Sequence, residues 1–68
     1  MNVILIVGKN LRKMRTKKNY TVRILSGLSG VSKNQISRIE LGEADPRIST
    51  LDHLATALEI DITDFFAS

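Results

Sequence analysis

The stretch Ser32–Gly42, SKNQISRIELG, carries a helix start, a helix stop and two chemically opposite faces between them. Ser32 is a helix N-cap residue, and Gln35 three positions on completes the spacing of a capping box. Gly42 supplies the stop, because glycine takes the left-handed conformation that ends a helix without a Cβ penalty. At about 3.6 residues per turn, Ile36 and Ile39 share one side, while Lys33, Asn34, Ser37 and Arg38 share the other. One side is therefore suited to a core. The other presents an ammonium, an amide, a hydroxyl and a guanidinium. These groups read base edges and phosphates in duplex DNA: Arg or Lys to guanine, Asn to adenine, Ser to either.

The residues before Ser32 narrow the possibilities. Thr21–Ser29, TVRILSGLS, has a cap residue followed by the apolar Val22 and Leu25 and the small Ser26. Gly30 and Val31 then form a short turn into Ser32. A helix, a glycine-containing turn and a second helix make a helix-turn-helix pattern. A small residue at position 26 lets two such helices cross closely, and the same close packing is the expected reason for Gly27.

Charge is divided along the chain. Residues 1–39 hold Lys9, Arg12, Lys13, Arg15, Lys17, Lys18, Arg23, Lys33 and Arg38 and no acid; residues 40–68 hold seven acids and one base, Arg47. The net +3 is thus +9 followed by −6. A polyanion is drawn to the first block only. Lys9 and Arg23 in that block, and Arg47 beyond it, are candidate phosphate contacts. Ser32 and Ser37 are candidates for holding the DNA backbone.

The rest of the chain supplies a core. Ile4, Val7, Leu11 and Met14 lie at helical spacing. Val3, Leu5 and Ile6 fall outside that stripe and are more apolar than a monomer surface needs, which points to a partner. Before Gly8 the run reads equally as helix or as a short strand ended by that glycine. It is too short to span a bilayer and lacks a secretion leader's charged start and long apolar core, so no membrane partner is expected. Tyr20 precedes the Thr21 cap, where its ring can staple the helix start. Ser49 with Asp52 has the spacing of another capping box, and Ile48, Leu51, Leu54, Ala55 and Leu58 give the core stripe after it. Asp61 can cap a last short helix. Phe65 and Phe66 close either the core or a dimer seam.

From about Val7 to Phe66 the chain resembles the Cro/phage-repressor type of helix-turn-helix domain. The matching residues are VGKNLRKMR, LSGLSGVS, ISRIELG, the DP of the following loop, STLDHLATAL and ITDFF. The resemblance implies an all-α, lambda-repressor-like fold, a compact bundle of about five short helices in one domain over residues 1–68. It implies an ion pair between Arg15 and Glu40 that ties the first helix to the third. Gln35 is often a base reader in this family; here the capping role competes, so Lys33, Asn34 and Arg38 rank ahead of it. The family usually has Gln just after the Thr21 position. This chain has Val22, and Arg23 beside it is the candidate substitute.

Chemistry other than binding finds little support. The single histidine, His53, adjoins Asp52, and sequence neighbours do not face each other on a helix. Without cysteine there is no thiolate metal site and no disulfide framework, and cysteine-free composition fits a reducing cytoplasm. No phosphate-cradling glycine loop is present. No enzyme activity, cofactor or small-molecule effector is expected. The resemblance implies a sequence-specific transcriptional regulator, a repressor that occupies its operator as a homodimer on double-stranded DNA. The alternative, of a different class, is an antitoxin-like module that binds a partner protein. Antitoxins of this fold usually need further chain to cover the toxin, and Ser68 ends this one early.

Overall fold

The computed structural model describes residues 2–68. Four α-helices, α1 (Val3–Lys17), α2 (Val22–Ser29), α3 (Lys33–Glu40) and α4 (Ile48–Leu58), are followed by a 3-10 helix, Ile62–Phe66. No strand occurs among the described residues. The aliphatic run before Gly8 is helix. Asn2 caps it, its Oδ1 accepting from the backbone N–H groups of Ile4 (3.1 Å) and Leu5 (3.4 Å).

The core joins all five elements: Val7 and Leu11 from α1, Leu25 from α2, Ile36 and Ile39 from α3, Leu51, Leu54, Ala55 and Leu58 from α4, and Phe65, with Val31 buried in the turn. The periodic stripes run into it with exceptions at their ends. Ile4 and Met14 are only half-buried, and Ile48 is 69% exposed. The two phenylalanines part company: Phe65 is wholly buried and Phe66 is 42% exposed.

Gly8 does not break the helix. It marks where α1 crosses α3: a Cβ there would collide with the carbonyl oxygen of Ile39 and stand 3.1 Å from that of Glu40. Gly27 is the reverse case. A Cβ on it would meet nothing within 4 Å, so close packing is not its reason, and nothing in the structure explains it. Gly42 has φ +74° and lies against Leu5. Around it the Gly42 N–H donates to Ile39 O (3.0 Å) and the Glu43 N–H to Arg38 O (2.9 Å), the paired bonds of a Schellman stop.

The capping expectations divide three ways. Asp61 forms a full box, accepting from Thr63 N (2.9 Å) while Asp64 Oδ2 accepts from Asp61 N (3.2 Å). The Thr63 N–H, then its hydroxyl, hold the Asp61 carboxyl below its ordinary pKa. Ser32 caps α3, but the Gln35 side chain does not return to the Ser32 N–H; it accepts from the Ser32 hydroxyl at 3.4 Å. The Ser49–Asp52 box is absent. The helix already begins at Ile48 after Arg47, which puts Ser49 inside the first turn, where its hydroxyl can no longer serve as the cap.

Candidate nucleic-acid interface

The α2–α3 unit turns sharply because Gly30 ends α2 at φ +77°. Val31 then drops into the core, and Ser29 Oγ accepts its N–H at 3.1 Å. Ser32, in extended conformation, starts α3 by accepting the Gln35 N–H at 3.1 Å. With Ile36 and Ile39 buried, the opposite side of α3 is committed to solvent: Lys33, Asn34, Gln35 and Arg38 are exposed and Ser37 is half-buried. Neither Lys33 nor Asn34 makes a side-chain hydrogen bond among the described residues, so their donors and acceptors are free for an external ligand.

Arg38 is not free in the same way. Its Nη2 donates to the carbonyl of Glu43 at 3.2 Å. This lays the guanidinium along a groove between α3 and the start of α4, shared with Gln35, Arg47, Ser49 and Thr50. Arg47 occupies the N-cap position of α4 without a side-chain cap. The first backbone N–H groups of that helix are therefore without a side-chain acceptor, and a helix start so exposed carries partial positive charge. Arg38, Arg47 and an open helix start make this groove anion-attracting, and Gln35 lies at its edge. No local pattern around Ser49 and Thr50 marks this in the sequence.

The orientation of α3 is held from behind. Arg15 Nε donates to Glu40 Oε2 at 2.6 Å and Nη2 to Oε1 at 2.9 Å, a two-pronged ion pair, while Nη1 donates to the Tyr20 carbonyl at 2.7 Å. The two charged side chains are 12% and 8% exposed. The hydrogen bond to Glu40 raises the pKa of the guanidinium above its ordinary value, against an opposing effect of burial. One side chain thus fastens α1, the lead-in to α2 and the end of α3 together.

The remaining basic residues sort by position. Arg23 is exposed in the first turn of α2, next to the Thr21 cap, whose Oγ1 accepts the Ile24 N–H at 3.1 Å. Lys18 is drawn to Glu59 (3.4 Å). Lys9 stands apart from α3: it lines a groove with Ile6, Asn10, Asp64 and Ala67 on the side of α1 that carries the chain's end. There Asn10 Nδ2 donates to both Phe65 O (2.8 Å) and Ala67 O (2.6 Å), a clasp invisible to any short-range pattern. His53 is exposed on α4. Among the described residues no cluster of acids and histidine could hold a metal ion, and no helix is long and apolar enough to cross a membrane.

Comparison with known proteins agrees with this geometry. A family described as the Cro/C1-type HTH DNA-binding domain matches residues 10–67. The chain is 34% identical over 62 residues to the HTH-type transcriptional regulator SlrR of Bacillus subtilis (strain 168), covering 90% of this chain and 41% of that protein. It is 44% identical over 54 residues to the HTH-type transcriptional repressor RghR of the same organism, covering 78% of this chain and 40% of the repressor. Against these relatives it spans well under two thirds of their length. Among solved structures it is similar to the restriction-modification controller protein C.AhdI from Aeromonas hydrophila, with a TM-score of 0.89 and 30% identity over 93% of this chain and 96% of the other.

Proposed function

The chain belongs to the Cro/C1-type helix-turn-helix DNA-binding domains, and from that premise we propose that it is a sequence-specific transcriptional regulator, a repressor that occupies its operator as a dimer through the major groove. Residues 1–68 act as one DNA-binding domain, in the cytoplasm, without enzyme activity, cofactor or small-molecule effector. The observation that carries this reading is the outer side of α3, where Lys33 and Asn34 stand exposed with no side-chain partner among the described residues. First-turn residues of a recognition helix enter the groove deepest. Asn34 bonds an adenine in bidentate fashion and Lys33 a guanine. Arg38, released from the Glu43 carbonyl, reads an adjacent base pair, and Gln35 stands in reserve. Ser32 and Ser37 hold the DNA backbone with Arg23. Arg47 takes a phosphate at the open start of α4. Lys9, in the groove beside Asn10 and Asp64, stands outside this set.

Selection of bound sequences from a random duplex pool tests this directly. Asn34→Ala and Arg38→Ala should each relax preference at a single base pair, by about 1–3 kcal/mol of discrimination, leaving the others intact. A uniform loss across all sequences would make Arg38 a phosphate contact, and unchanged preference in the Lys33, Asn34 and Arg38 variants would remove α3 as the reader.

The dimer follows from need and from surface. One recognition helix reads few base pairs, so useful specificity takes two half-sites. The support for a seam is a shallow apolar groove in which Val3, Ile48 and Phe66 meet around Pro46, with 49%, 69% and 42% of their surface exposed. Of the outward residues of the N-terminal aliphatic run, Val3 shares this patch with Phe66, whereas Leu5 lies against Gly42 and Ile6 lines the groove with Lys9. Light scattering at tens of micromolar should give twice the monomer mass, and Ile48→Glu should return it to monomer. A monomeric wild type, with and without DNA, refutes the dimer.

A further inference from the structure

The three lysines of α1, Lys9, Lys13 and Lys17, have no place in the reading surface. α3 crosses α1 at Gly8. At about 100° per residue, Arg12 lies only about 40° round α1 from that crossing. Lys9 lies about 100° away, Lys13 about 140° and Lys17 about 180°. Arg12 is thus beside α3, whereas Lys9, Lys13 and Lys17 form a row spaced by four residues on the flank turned away from it. The row rises about 12 Å along the helix. All three side chains are exposed. None has an ion-pair partner among the described residues, where the pairs are Arg15–Glu40 and Lys18–Glu59. Asp64, which shares a groove with Lys9 and Lys13, already accepts the Asp61 N–H. Like charges four residues apart on a helix repel and destabilise it, so this row costs stability in the free protein and is relieved by a polyanion.

We propose that Lys9, Lys13 and Lys17 are a second, sequence-independent contact for the phosphate backbone, occupied by a second stretch of duplex DNA while α3 holds the first. The proposal rests on the DNA-binding reading above. Charge complementarity names the ligand class, and the angle from α3, about 100–180° round α1, favours a second duplex over the one lying on the reading face. Once α3 is bound, other segments of the same DNA molecule are present at high local concentration, so a weak contact of three charges suffices. The protein then tethers two segments as well as marking one.

The test holds a selected operator duplex on a surface, saturates it with the full chain, and adds a labelled random-sequence duplex at low salt. Wild type should capture the second duplex, and raised salt should release it. The Lys9→Gln, Lys13→Gln, Lys17→Gln triple variant should lose capture to the level of bare operator, while its affinity for operator stays within about twofold and its salt slope is unchanged. No capture by wild type, or equal capture by the triple variant, overturns the proposal. So does a triple variant whose operator binding loses about 0.9 of salt slope per lysine, because the row would then be touching the first duplex. Failure of wild type to hold the operator at all is a separate result: it sinks the DNA-binding reading, and this proposal with it.

Discussion

Arg15 and Glu40 show how much a single pair of side chains can organise. Their charges are almost out of water, so either one left alone is a buried charge without its counter-ion, a loss of about 3 kcal/mol or more. The two substitutions are not equivalent. Glu40→Ala strands a guanidinium that keeps its bond to the Tyr20 carbonyl, whereas Arg15→Ala breaks that bond too. We expect both variants to melt well below wild type, Arg15→Ala the lower, and the double variant to lose less than the sum. Additive shifts in thermal melts would show that the two do not act together. Neither residue belongs to the exposed side of α3 proposed to read DNA, so a variant that still folds should bind more weakly while preferring the same sequence.

At the scale of helices, the outcome turns on which signals are local. The Ser32–Gly42 helix is legible because its cap, its two buried isoleucines and its glycine stop lie within one short window. The last short turn is legible for the same reason, through Asp61. The Ser49–Asp52 spacing misleads because the preceding Pro46–Arg47 segment begins the helix before Ser49 can cap it. Glycines mislead more. What Gly8 touches is α3, and what Asn10 holds is 55 and 57 residues away; neither contact has a trace in nearby sequence. The open start of α4 beside Arg38 was hidden for the same reason. The two helical glycines should therefore respond oppositely to alanine. Gly27→Ala should gain roughly 1 kcal/mol of helix propensity, raising Tm by about 4–8 °C for a chain this small. Gly8→Ala drives a methyl into the backbone of α3, which cannot swing aside as a side chain would, and should lose about 1–3 kcal/mol. Equal responses in calorimetry would mean that α1 and α3 do not cross at Gly8.

Over the whole molecule, charge is arranged in tiers. Arg12, Arg23, Lys33, Arg38 and Arg47 are outside any ion pair among the described residues and lie on or beside the helix-turn-helix and the open start of α4. If each, at a base edge or at the backbone, displaces one condensed counterion from the duplex, log K per protomer should fall with log salt at a slope of about −4.5. A slope near zero would refute DNA binding, and one near −7 would enlist the outer lysines of α1 on the same duplex. Everything that keeps α3 in place, meanwhile, lies behind it: the buried isoleucines, the crossing at Gly8, the clamp from Arg15. Lys33 and Asn34 contribute none of it. On the proposed reading, mutation can therefore rewrite what those two positions recognise at little cost to stability, leaving this protein free to be retargeted, in a lineage or at the bench, without being rebuilt.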